Sequence, residues 1–211
     1  MLRLRHLMPL VGLAAAVFYA MPTPASAQTI IDEWSSVKAP PAPALTSVTV
    51  DPKTTALLML DFLKQNCGSN PRCVATLPKA QKLLAAARAK NMTIIYSVFP
   101  GPVIGDTLPE VAPKGTEPVV TSFFNKFLDP NLDKVLKDKG IKTVILMGAA
   151  SDGAVLYTGT EAFFRHYQTI IAVDAIAGAT PYVDQFTVYQ FTVAPVMAGK
   201  IILTRTDMIK F

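Results

Sequence analysis

The stretch that decides the fold is Gly148-Ala149-Ala150-Ser151-Asp152-Gly153-Ala154-Val155-Leu156-Tyr157-Thr158. It continues an apolar run over residues 143–148 (TVILMG), which is typical of a strand buried on both faces. A predicted helix over 152–167 begins inside it. A strand, small-residue turn and helix in this order direct backbone N–H groups and the positive end of a helix toward one point. The stretch therefore predicts a place where an anion binds, and a nucleophile there would be acidified.

The same alternation of strands and helices extends outward on both sides of this turn. Apolar runs or short strand patterns occur at 54–63, 92–98, 118–122, 168–176 and 200–204, and helical spacing occurs at 77–91, 131–139 and 182–194. Such an order predicts βαβ units, and hence a three-layer α/β/α sandwich with a mainly parallel central sheet. Since sites lie beyond the carboxyl ends of parallel strands, we expect Asp61, the segment 118–126 and the turn 148–154 to lie together.

The N-terminal segment has the pattern of an export signal. Two arginines precede an apolar run over 7–20, and Ala25-Ser26-Ala27 follows as a small-residue cleavage site. We predict a signal peptide over 1–27 and a periplasmic or secreted protein, with an uncleaved anchor as the alternative. Residues 28–53 are rich in proline and predict an extended arm, and residues 54–211 predict one α/β domain.

Composition and cysteine usage exclude several classes of partner. The net charge is +5, and it includes two arginines of the signal, so no basic stripe for nucleic acid remains and no membrane contact is expected after cleavage. Cys67 and Cys73 flank a Gly/Asn/Pro turn and predict a disulfide in an oxidising compartment, the alternative being a reactive thiol at Cys67. His166 is the one histidine after the signal, so we expect no metal and no cofactor.

Three blocks of the sequence resemble the isochorismatase-like cysteine hydrolases, a family that includes nicotinamidases and N-carbamoyl amidohydrolases. The blocks are LLMLDFLKQ around Asp61, KFLDPNLDKVLKDKGIKTVILMG from Lys126, and GAASDGAVLYTGTEAFFRHYQTIIAVDA from Gly148. The resemblance covers residues 54–204 and implies a Rossmann-like fold. It also implies a catalytic triad of Asp, Lys and Cys, in which Asp61 matches the acid and Ala154 stands at the nucleophile position.

The lysine of that triad has no direct match. Counting back from the family's F-x-x-T-x-L segment places Thr121 or Ser122 at the lysine position. Lys126 is the nearest ammonium group, and Lys64 and Lys114 are more remote candidates. The resemblance therefore implies a degenerate triad.

The ligand-binding backbone of the family would survive these substitutions. The resemblance implies an oxyanion hole from the amides of Ala150 and Ala154, with a non-proline cis peptide between Ala149 and Ala150. We expect Lys126 and Phe127 to border the same pocket. Many nicotinamidases hold a metal through a D-x-H motif after the second strand. The equivalent stretch here, residues 97–102, contains no metal-ligating side chain of that kind.

Ser151 adjoins the substituted nucleophile position. It is a candidate substitute nucleophile, although a serine needs a base within reach and His166 lies too far along the helix. A helix cap is its alternative role.

Three functions remain open from the sequence. The chain could bind a small carboxylate or amide compound without turnover. It could hydrolyse amide, ester or vinyl-ether bonds with water activated by Asp61 and a backbone oxyanion hole. It could also be a structural or partner-binding domain, and a homo-oligomer is possible in each case.

Overall fold

Six parallel strands form the central sheet of the protein, for which a computed structural model describes residues 28–211. The strands are β2 (Thr55–Leu60), β3 (Thr93–Val98), β4 (Val119–Thr121), β5 (Thr143–Ala149), β6 (Gln168–Ala177) and β7 (Ile202–Thr204). Their order across the sheet is β4-β3-β2-β5-β6-β7. All of their pairings are parallel, as the alternating sequence pattern predicts.

Helices cover both faces of this sheet. They are α2 (Pro71–Val74), α3 (Leu77–Ala89), α4 (Pro130–Asp138), α5 (Leu156–Phe164) and α6 (Pro181–Val193). Side chains alternate along β2, so that Leu57 packs with α3 on one face and Leu58 packs with α4 and α5 on the other. Two hydrophobic cores result, and the predicted three-layer α/β/α sandwich is confirmed.

The central pair of strands, β2 and β5, positions the candidate site. Leu60 at the end of β2 pairs with Gly148 near the end of β5. A Cβ atom at Gly148 would lie 1.9 Å from the carbonyl oxygen of Leu60, and Gly148 has φ +134°, so only glycine allows this approach. The residues that follow the two strands, Asp61 and Ala150, are therefore brought to the same edge of the sheet.

The N-terminal part departs from the extended arm that was predicted over 28–53. Contacts group Pro40–Phe211 into one unit, and the described residues before it, 28–39, contain the helix α1 (Ile30–Glu33). Within Pro40–Phe211, β1 (Val48–Thr49) pairs with β8 (Ile209–Lys210). The domain therefore begins before residue 54, because two residues of the arm form sheet hydrogen bonds with the C-terminus. The predicted signal peptide lies outside the described residues, and no helix within 28–211 is long and apolar enough to span a membrane.

A disulfide joins Cys67 to Cys73, as predicted. Both residues are fully buried, so the alternative of a reactive Cys67 thiol is wrong. The bond closes a π-helical turn, Lys64–Gly68, onto α2. From this closed loop Asn70 donates a hydrogen bond of 2.9 Å to the Gly178 carbonyl, which follows β6. The disulfide therefore fixes the loop after β2 against a neighbouring strand end.

Candidate active site

Asp61 is a buried carboxylate at the end of β2. Its φ of +49° is unusual for a residue other than glycine and turns the chain sharply as the strand ends. Only 4% of the residue is exposed. Oδ1 accepts a hydrogen bond of 2.6 Å from Ser97 Oγ on β3, and Oδ2 accepts one of 2.7 Å from Lys126 Nζ. Both carboxylate oxygens are therefore held by neighbouring side chains.

Lys126 lies at the start of a 3₁₀ turn, Lys126–Leu128, and is fully buried. Besides Asp61, its Nζ donates to the carbonyl oxygens of Ser122 and Phe123, each at 2.6 Å. An ammonium group has three N–H donors, and here each has an oxygen acceptor. This is the coordination that a buried positive charge requires.

Lys126, and not a side chain at Thr121, therefore lies beside Asp61. Thr121 is exposed at the end of β4, where its backbone N–H bonds to Asp129 Oδ2 at 2.8 Å. Lys64 and Lys114 are exposed as well. The chain between 122 and 125 folds back, so that Lys126 points toward the end of β2 although it comes five residues later than the count from the family motif suggests.

Burial moves the pKa values of the two charged groups toward each other. It raises the pKa of the Asp61 carboxyl, although the charge of Lys126 and hydrogen bonds from Lys126 and Ser97 oppose the rise. Burial lowers the pKa of the Lys126 ammonium, which the charge of Asp61 opposes. Both shifts act in the direction that favours the uncharged forms of the two groups.

The turn after β5 keeps the predicted backbone but carries no nucleophile. The peptide between Ala149 and Ala150 is cis, as predicted. The predicted helix over 152–167 is divided into a π-helical turn, Ser151–Val155, and α5. Ala154 lies in that turn with 2% of its surface exposed, and its methyl group can attack nothing.

Ser151 does not cap the helix, because the cap position is Ala150. It is fully buried, and its Oγ donates a hydrogen bond of 2.7 Å to Asp184 Oδ1 on α6. Asp184 also accepts from the Gly178 N–H and pairs with Arg72 of the disulfide loop. This network stabilises the turn, because it connects the first residue of the turn to α6 and α2.

Thr158 connects the two sides of the site. Its Oγ1 accepts a hydrogen bond of 3.1 Å from the Lys126 N–H and donates one of 3.2 Å to the Phe124 carbonyl. The threonine that follows the turn thereby fixes the backbone of the lysine loop.

Phe127 was expected to border the ligand pocket. Phe127 is buried in the core, where its ring stacks on Tyr167 with centroids 6.0 Å apart. The aromatic ring that reaches the turn is Phe124, since a Cβ atom at Gly153 would lie 2.9 Å from its Cδ1. One feature of the sequence indicates this contact. Gly153, directly before Ala154, has no side chain and leaves room for an aromatic ring.

Within residues 28–211, no three His, Cys, Asp or Glu side chains lie close enough together to hold a metal ion. A groove of about 950 Å³ lies elsewhere, between residues 40–46 and α6 and β7. Asp61, Lys126 and Ala154 do not line that groove, whereas Asp184 does. The candidate chemistry therefore rests on the Asp61–Lys126 pair and the turn around Ala154.

The family model for the isochorismatase domain matches residues 55–200, which include Asp61, Lys126 and Ala154. The chain belongs to the isochorismatase family. Among curated proteins it is similar to the secreted isochorismatase effector Isc1 of Verticillium dahliae, with 29% identity over 113 residues. That match covers 48% of this chain and 60% of Isc1, so the chain spans less than two thirds of this relative.

Solved structures share the fold. A cysteine hydrolase from Pseudomonas syringae pv. phaseolicola is 21% identical with a TM-score of 0.66, covering 79% of this chain and 95% of that one. N-carbamoylsarcosine amidase from Thermoplasma acidophilum is 24% identical with a TM-score of 0.62, covering 73% and 97%. At these identities the likeness establishes the isochorismatase fold alone.

Proposed function

We propose that this isochorismatase-family protein hydrolyses a vinyl ether of a small carboxylic acid, with Asp61 as the proton donor. The observation that carries the proposal is the combination of a buried, hydrogen-bonded Asp61–Lys126 pair with a methyl group at Ala154. Proton transfer is supported by the first feature. Nucleophilic catalysis is disfavoured by the second.

Vinyl-ether hydrolysis needs an acid but no protein nucleophile. Amide hydrolysis by the family's triad begins with thiol attack, and loss of a nucleophile costs several orders of magnitude in rate. A vinyl ether instead becomes reactive when its terminal carbon is protonated. A site that retains the acid and lacks the thiol is therefore suited to the vinyl ether.

The proton would come from the shared pair. Burial raises the pKa of Asp61 and lowers that of Lys126, and both shifts favour the neutral form of the pair, in which the proton lies on Oδ2. Asp61 then donates this proton to the terminal carbon of the substrate. The oxocarbenium ion that forms is stabilised by the negative charge left on the pair.

Water completes the reaction. It adds to the oxocarbenium carbon and returns a proton to the pair, and the resulting hemiketal breaks its C–O bond to the leaving alcohol. One water is consumed, and an α-keto acid and an alcohol are released. The backbone N–H groups of Ala150 and Ala154 would hold the substrate carboxylate at the turn, where the helix dipole favours a negative charge.

Export belongs to the proposal too. It rests on the export-signal pattern of residues 1–27, and the similarity to the secreted effector Isc1 supports it. A protein outside the cytoplasm would also retain the buried Cys67–Cys73 disulfide.

The test compares substrates and two matched acid-to-amide variants. Purified protein from residue 28 onward is assayed with isochorismate, nicotinamide and an N-carbamoyl amino acid. Release of the α-keto acid is followed by coupled NADH oxidation and release of ammonia by a separate coupled assay. We expect turnover of isochorismate only, and a loss of about 10²–10⁴-fold in Asp61→Asn.

Asp152→Asn is the control, because Asp152 lies near Ala154 in the same turn but is exposed to solvent. Its rate should equal that of the wild type. Ligand binding without turnover, or hydrolysis that survives in Asp61→Asn, would overturn the proposal.

A further inference from the structure

Two exposed aromatic rings lie against each other at the rim of the site. Phe124 and Tyr157 stack with centroids 5.8 Å apart and planes inclined by 24°. Yet 60% of Phe124 and 53% of Tyr157 remain exposed. The exposed faces of such a pair offer an apolar surface on which a flat ring can stack.

The position of the pair ties it to the site rather than to the general surface. The Phe124 ring lies against Gly153, the residue before Ala154, and its carbonyl accepts the hydrogen bond from Thr158. Its neighbour Phe123 supplies a carbonyl ligand to Lys126. Tyr157 lies three residues after Ala154, about one helical turn away.

We infer that Phe124 and Tyr157 are specificity-determining residues that bind the ring of the substrate by stacking. The inference rests on the proposed function, which it deepens by requiring that the vinyl ether be attached to a planar or nearly planar ring. The faces of the pair are apolar and bear no charge, so the binding energy comes from stacking and from the burial of apolar surface. The reacting side chain of the ligand then extends toward Asp61, while the ring stays at the rim.

Binding of non-hydrolysable analogues tests this inference separately from turnover. The probes are 2-phenoxypropanoate, a saturated ether on a ring, and 2-methoxypropanoate, which has the same single carboxylate and ether but no ring. Isothermal titration calorimetry on the wild type should give tighter binding of the ring compound by about tenfold. Tyr157→Ala and Phe124→Ala should remove that preference and leave the affinity for 2-methoxypropanoate unchanged.

Phe164→Ala is the matched control. Phe164 lies on the same helix as Tyr157, is 54% exposed and also packs on an aromatic neighbour, Phe163, with centroids 5.5 Å apart. It should keep the full preference. Tyr157→Phe should rescue the preference, since stacking needs the ring and not the hydroxyl group, and Tyr157→Leu replaces Tyr157→Ala if that variant does not fold.

The outcomes separate this inference from the proposed function. A ring preference that depends on Phe124 and Tyr157 supports the inference even if isochorismate is not hydrolysed. Equal affinity of the wild type for both probes, or no binding of either, overturns it. It is also overturned if the substitutions change the sedimentation coefficient but not the preference, because the pair would then be a contact between copies of the chain.

Discussion

The two halves of the candidate site differ in the chemical groups that they present. The acid half, made of Asp61, Ser97 and Lys126, retains both charged groups and supplies a partner for every N–H of the ammonium group. The turn half, residues 149–155, retains the cis peptide and the π-helical backbone but presents a methyl group at Ala154. Under the proposed function, this difference separates proton transfer, for which the acid half has the charged groups, from nucleophilic attack, for which the turn half has no thiol.

The largest effect should follow from breaking the acid half. Lys126→Met leaves the Asp61 carboxyl buried without its partner and removes the donor from two carbonyl groups. We expect the free energy of unfolding to fall by about 3–5 kcal/mol, measured by urea denaturation.

Lys134→Met is the comparison for that measurement. Lys134 forms an ion pair with Asp138 in which both side chains are mostly exposed, so its loss should cost no more than about 0.5 kcal/mol. Similar losses in the two variants would contradict the interpretation of Lys126 as a buried, fully coordinated charge.

The loop after Asp61 offers the next largest effect. Replacing Cys67 and Cys73 by serine removes a crosslink between residues six apart in sequence and should lower the free energy of unfolding by about 2 kcal/mol. Because Asn70 and Arg72 in this loop contact Gly178 and Asp184, we also expect faster hydrogen exchange in the turn half, measured by mass spectrometry. Unchanged exchange there would show that the disulfide does not brace the turn.

A smaller effect tests the connection between the halves. Thr158→Val keeps the shape of the side chain but removes its hydrogen bonds to Lys126 and Phe124, and should cost about 1–2 kcal/mol in thermal or urea unfolding. Thr192→Val is the control, since its hydroxyl only bonds back to Tyr189 within α6, and the change should stay within about 0.5 kcal/mol. Equal losses of unfolding free energy in the two variants would mean that the hydrogen bonds of Thr158 do not stabilise the connection between the halves.

The smallest structural change adds one sulfur atom to the turn half. Since Lys126 already faces Asp61, Ala154→Cys alone should complete the triad, without Thr121→Lys. We expect the new thiol to react with iodoacetamide at pH 7 faster than free cysteine does. The wild type provides a silent background, because its two cysteines are joined in the disulfide. Reaction no faster than that of free cysteine would show that the turn no longer activates a nucleophile.

The sequence predicts the parts of this molecule that periodicity and spacing determine. The runs that became β2 and β5 are apolar at almost every position, as strands buried on both faces must be, so their position and parallel pairing could be foreseen. The resemblance to the isochorismatase-like hydrolases implied the positions of Asp61 and Ala154 and the cis peptide between Ala149 and Ala150. The disulfide followed from two cysteines on one short turn.

The sequence could not predict the features that depend on how loops fold in three dimensions. Lys126 was displaced from the family count because residues 122–125 double back, and no local pattern encodes that path. Phe127 and Phe124 are three residues apart, yet the first enters the core and the second reaches Gly153. The pairing of β1 with β8 involves two residues in each strand, too few for periodicity to reveal.

The dependence of rate on pH tests the central claim, that Asp61 donates a proton, most directly. Burial raises the pKa of Asp61, and a general acid acts only while protonated. The kcat/KM for isochorismate should therefore be highest at low pH and fall as the pH rises through a pKa above the ordinary value of an aspartic acid, after subtraction of the rate of Asp61→Asn at each pH. A rate that instead increases as the pH rises through that pKa would contradict the account, because Asp61 would then be acting as a base that activates water.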